Sequence, residues 1–123
     1  MTARLLLPAL ALALLLPGVA PATAGAETES FVQVVEKEWS LVLSRTSVRA
    51  GRVTIEAVNF GNDAHDLVVR SKAKGSKPLR FAQMSPRGRG ERTVRLPAGR
   101  YALWCSLPGH EAQGMKATLT VRG

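Results

Sequence analysis

Cysteine, histidine and tyrosine are scarce in this chain: one cysteine, two histidines and one tyrosine among 123 residues. A single cysteine excludes an intramolecular disulfide, so no covalent staple supports the fold. Two histidines leave room for one small site and no more. Aromatic residues amount to 5% and do not interleave with the basic ones, which excludes the stacking surface of a nucleic-acid-binding domain. Repeats and helical heptads are absent, which removes solenoids and coiled coils.

Long apolar runs are missing as well, except at the start. Met1-Thr-Ala-Arg4 is followed by an apolar stretch from Leu5 to Ala20. Pro8 and Pro17 interrupt it, and its unbroken part falls short of the roughly 20 residues a membrane span needs. A short positive start, an apolar run and a small-residue exit fit a secretory leader. Ala22-Thr23-Ala24 and Ala24-Gly25-Ala26 both have the small-x-small form, so cleavage is expected after Ala24 or Ala26. Residues 1–24 are then a signal peptide and 27–123 a single domain, periplasmic or extracellular. The leader holds no cysteine for a lipid anchor and only one arginine, against a twin-arginine signal. An uncleaved, envelope-associated anchor is the lesser alternative.

About one hundred residues remain, enough for one core. Arg52–Phe60 alternates, with Val53, Ile55, Ala57 and Asn59 on one face and Thr54, Glu56 and Val58 on the other, the period of a half-buried strand. Phe31–Val35, Trp39–Leu43, Asp66–Arg70, Glu91–Leu96, Arg100–Cys105 and Lys116–Val121 also read as short strands, with turns at Val48–Gly51 and Pro97–Gly99. The fold class is therefore all-β, an antiparallel Greek-key sandwich of about seven to eight strands. Residues 71–90 stand apart as a basic, mostly irregular excursion with a short element near Leu79–Met84. No segment shows helical periodicity. Tyr101 follows the Pro97-Ala-Gly-Arg corner, and its hydroxyl is expected to bond back to it.

The chemistry sits in Cys105-Ser-Leu-Pro-Gly-His110-Glu-Ala-Gln-Gly-Met115, where thiol, imidazole and thioether recur five residues apart. His65 lies forty residues upstream of Cys105, between two strands. Two imidazoles and a thiolate in a plane, with a weak axial thioether, are the donors of a mononuclear copper site that serves both Cu(I) and Cu(II). Zinc also accepts cysteine and histidine, but the thioether favours copper. Strand alternation points Cys105 inward with Tyr101 and Leu103. A bound metal would also give a lone cysteine in an exported protein a reason to be there.

Asn59-Phe-Gly-Asn-Asp-Ala-His65-Asp-Leu-Val-Val resembles the first-histidine segment of the cupredoxins, the small blue copper proteins. Cys105-x-x-Pro-Gly-His110-x-x-x-Gly-Met115 resembles their C-terminal ligand loop, with the spacing of the rusticyanin- and sulfocyanin-like members. The resemblance spans Phe31 to Val121. It implies one copper ion, with His65, Cys105 and His110 as equatorial ligands and Met115 as the axial one. It further implies a one-electron carrier rather than an enzyme, and an apolar patch of Leu107, Pro108 and His110 through which electrons pass to protein partners. Many members carry asparagine after the first histidine. Asp66 stands there in this chain, and is expected to accept a hydrogen bond from Ser106 or from nearby backbone N–H groups, bracing the ligand loop. With both histidines used, none is left for a second, catalytic copper centre. The competing reading is a copper carrier or chaperone that delivers the ion to an oxidase. Such a protein usually has soft ligands to spare, and this one has only Met84. The basic residues of 72–95 read as a solvated face or as steering toward an acidic redox partner or an anionic membrane surface. The protein is expected to be a monomer.

Overall fold

The computed structural model of the protein describes Gly18 and residues 28–123. Gly18 aside, the leader expected at 1–24 lies outside the described residues. Among the described residues nine strands form: β1 (Ser30–Lys37), β2 (Ser40–Leu43), β3 (Ser47–Arg49), β4 (Gly51–Asn59), β5 (Val68–Ser71), β6 (Leu79–Arg80), β7 (Arg89–Leu96), β8 (Gly99–Trp104) and β9 (Lys116–Arg122). One sheet has the order β2-β1-β4-β7 and the other β3-β9-β8-β5-β6. Alternation along each strand turns Val32 and Val34, Val53, Ile55 and Ala57, Leu103, Leu119 and Val121 into a shared buried core. Each such side chain contributes roughly 1.5–3 kcal/mol on leaving water.

The sandwich is the expected one, but its sheets are mixed. β1 pairs parallel with β4, and β3 parallel with β9, while the remaining pairs are antiparallel. A parallel pair needs a crossover. After the β1–β2 hairpin the chain crosses to the second sheet to make β3, then returns as β4 in the direction of β1. The segment expected as a turn from Val48 to Gly51 thus carries part of a strand. Val48 alone is buried there, too short an apolar signal to be visible in sequence. Its strand exists because β9 offers a ladder, closed by Thr120 N–H to the Thr46 carbonyl at 2.9 Å and Ala50 N–H to the Arg122 carbonyl at 2.7 Å.

One helical turn, α1 (His110–Gln113), falls in the ligand loop; four residues are too few to show a period. The basic excursion is irregular as expected, with two-residue β6 inside it. It is nevertheless pinned: Phe81 and Met84 are buried, and Phe81 N–H donates to the Leu67 carbonyl at 2.8 Å. Tyr101 donates its hydroxyl to the Pro97 carbonyl at 2.9 Å. The ends of β1, β4 and β8 and the start of β9 gather at one end of the sandwich, with all the sequence-expected ligands.

Candidate metal centre

Local hydrogen bonds build this end before any metal is invoked. Asn59, the inward-facing polar residue that closes β4, donates from Nδ2 to the carbonyls of Asp63 (2.7 Å) and Met84 (3.0 Å). Its Oδ1 accepts the Gly61 N–H at 2.8 Å. These bonds curl residues 59–65 so that His65 meets Met84 in an isolated bridge, His65 N–H to Met84 carbonyl at 3.1 Å and the reverse bond at 2.7 Å. The His65 side chain is fully buried.

Cys105 leaves β8 on its inward face and is fully buried. Its N–H donates to the Met115 carbonyl at 3.1 Å, and its sulfur accepts the Asp66 N–H at 3.5 Å. Burial pushes the thiol pKa up, opposed by the N–H groups of Asp66 and Leu107. Between Cys105 and Met115 the chain turns back at Gly109, whose φ of 80° caps α1, and at Gly114, whose φ is 129°. A Cβ at Gly114 would lie 2.7 Å from the Trp39 carbonyl oxygen, so glycine is required there both by conformation and by space. Met115 is fully buried, and its N–H donates to the His110 carbonyl at 3.1 Å.

Three donor atoms converge. His65 Nδ1 lies 3.2 Å from His110 Nδ1, and Cys105 Sγ lies 3.5 Å from His110 Nδ1; the whole group falls within 4.8 Å. Two imidazole nitrogens and a sulfur at such spacing repel through their lone pairs unless a proton or a cation lies between them. Nitrogen and thiolate donors fit a borderline-soft ion such as copper. Met115, fully buried, is tied by backbone bonds to both Cys105 and His110.

The surroundings of the two histidines differ. His110 is half-buried, and its ring meets Trp39 edge-on at a centroid distance of 4.8 Å. Leu107 is half-buried and Pro108 exposed beside it. His65 instead has its far nitrogen, Nε2, 2.8 Å from Glu38 Oε1. Asp66 accepts the N–H and the hydroxyl of Ser106, each at 2.5 Å, tying the two ligand segments together. Met84, the spare thioether, is buried, bridged to the His65 backbone, and packs rather than facing solvent.

Glu38, Trp39 and Asn59 play parts at this site that the sequence did not reveal. Asn59 left a trace, a polar residue on the inward face of an otherwise apolar alternation. Glu38 and Trp39 left none, because their partners lie far along the chain and the pairing is purely tertiary.

No protein-family model and no curated protein matches the chain. Solved structures do. A dithionite-reduced auracyanin from Roseiflexus castenholzii superposes with a TM-score of 0.62 at 20% identity, over 80% of this chain and 100% of the other. Auracyanin A, a "blue" copper protein from Chloroflexus aurantiacus, gives a TM-score of 0.57 at 18% identity, over 77% of this chain and 100% of the other. Rusticyanin from Thiobacillus ferrooxidans gives 0.56 at 19% identity, over 76% of this chain and 77% of the other. The fold is that of the cupredoxins.

Proposed function

We propose that this protein is an exported type 1 copper protein that carries single electrons between protein redox partners and catalyses no substrate chemistry of its own. The observation that carries this reading is the convergence of His65, Cys105 and His110 within 4.8 Å, on a scaffold whose backbone bonds fix each of them. His65, Cys105 and His110 would hold the ion in their plane, with Met115 as the weak axial donor. Copper supplies a one-electron couple at such a site. The protein's part is to keep the donors still: little rearrangement then accompanies the change of oxidation state. The Cys105 thiol, held protonated by burial, gives up its proton on metal uptake, so binding weakens as pH falls.

His110 is the ligand that reaches the surface. Leu107, Pro108 and Trp39, 37% exposed, surround it with apolar area on which a partner can dock. The exposed cations Lys72, Lys74, Lys77, Arg80 and Arg87 would steer an acidic partner toward the molecule. Electron-transfer rates with an acidic partner should then fall steeply as salt is added; rates that ignore salt remove the steering from this account.

An absorption spectrum tests the reading directly. The Cu(II)-loaded protein should absorb strongly toward the red end of the visible, and Cys105→Ser should abolish the band. A colourless protein that surrenders copper readily to a chelator would instead support copper delivery to an oxidase.

A further inference from the structure

We infer that Glu38 is a positioning residue of the metal centre, whose carboxylate accepts a hydrogen bond from His65 Nε2–H, leaves Nδ1 as the bare donor beside Cys105 and His110, and places a negative charge behind that ligand. The redox consequence rests on the copper reading; the choice of tautomer does not.

Glu38 occupies the two-residue turn between β1 and β2, with its carboxylate turned toward the 61–65 segment. Oε1 lies 2.8 Å from His65 Nε2 and also accepts the Asp63 N–H at 2.8 Å, while Oε2 accepts the Asn62 N–H at 3.0 Å. Gly61 makes room for it, since a Cβ there would run into the carboxylate. With an N–H donor on each oxygen, Asp63 on Oε1 and Asn62 on Oε2, the carboxylate is held as an acceptor on both sides, which favours its ionised form. An ionised carboxylate has no proton to offer, so the proton in the His65 bond belongs to Nε2. A neutral imidazole carries only one, and Nδ1, the nitrogen 3.2 Å from His110 Nδ1, keeps its lone pair for a metal. A carboxylate behind a ligating imidazole also raises its basicity, which favours the more highly charged oxidation state.

Glu38→Gln separates this role from simple bracing of the loop. The amide oxygen can still accept from His65 and Asp63, but the charge is gone. The copper-loaded variant should have a higher reduction potential and a Cu(II) affinity lower by roughly 10–100-fold. Nitrogen-15 NMR of the metal-free, unmutated protein should show His65 protonated on Nε2. A red-absorbing wild type whose potential and Cu(II) affinity are unchanged in Glu38→Gln overturns the proposal and leaves the copper reading standing. A wild type that never becomes coloured overturns the copper reading instead. The His65 tautomer then decides alone for Glu38: Nε2–H supports it and Nδ1–H overturns it.

Discussion

Glu36 and Glu38 stand two residues apart at the end of β1, one on the inner face of the strand and one in the turn that follows, and their surroundings differ in almost every respect. Glu36 is fully buried, and neither carboxyl oxygen has a hydrogen-bond partner among the described residues. Burial, reinforced by the negative charge of Asp66, pushes its pKa up to about 8. Glu38 is reached by two backbone N–H groups and a histidine, and its pKa falls to about 2. The same side chain, two residues apart at the end of one strand, is thus a neutral acid in one place and an anion in the other. Solvation and hydrogen bonding set the charge, and residue type does not. The anion is the one that meets His65, at 2.8 Å, while the neutral acid is sealed inside the sandwich.

The largest expected effect breaks the Glu36 side of this contrast. Below about pH 4.5, the ordinary carboxyl value, Glu36 is protonated in folded and unfolded chains alike and costs nothing by ionisation. Between there and about pH 8 the unfolded chain ionises while the folded one resists, so stability falls as pH rises. The full loss above pH 8 is on the order of 5 kcal/mol. Glu36→Gln should abolish this alkaline limb and be the more stable protein at pH 9. Glu38 has the opposite sign. Its stabilisation is present above about pH 4.5 and is lost as pH falls toward 2, and Glu38→Gln should flatten that acid limb. Urea unfolding of the three metal-free proteins across pH tests both arms at once. An alkaline limb that persists in Glu36→Gln would show that another group causes it.

The two carboxylates also mark where sequence reading stops. The sandwich was legible because alternation in Arg52–Phe60 and Arg100–Cys105 directly encodes a buried face. The convergence of His65, Cys105 and His110 was legible because Cys105 and His110 are close in sequence and the chain has no other histidine than His65 to join them. β3 was not, because its pairing with β9 joins residues some seventy positions apart and only Val48 is buried. Glu36 reads as one polar residue after Val32 and Val34 on the same face, which in sequence looks like the strand's exit into solvent. Trp39 reads as the start of a strand; only the fold brings its ring to His110. Local patterns reveal periodicity and spacing, whereas a carboxylate that meets a histidine across 27 positions leaves no periodic trace.

A smaller effect sharpens the comparison through Asp66, the charge that both regions feel. Its carboxylate accepts the Ser106 N–H and hydroxyl at 2.5 Å each, its backbone N–H meets the Cys105 sulfur, and its charge helps to raise Glu36. In Asp66→Asn the side-chain oxygen can keep the Ser106 N–H while the amide donates to the Ser106 hydroxyl. The brace therefore survives in weakened form, and the stability loss should be about 1 kcal/mol, since Ser106 is exposed. The electrostatic consequences are separate from that loss. Removing a negative charge beside the thiolate disfavours the oxidised metal, so the copper reduction potential should rise. Removing it near Glu36 should also bring the alkaline limb to lower pH. A brace without electrostatic influence predicts the stability loss alone. Potentiometry and the pH dependence of unfolding on the same variant therefore distinguish the two, and an unchanged potential together with an unmoved alkaline limb would reduce Asp66 to a tether for Ser106.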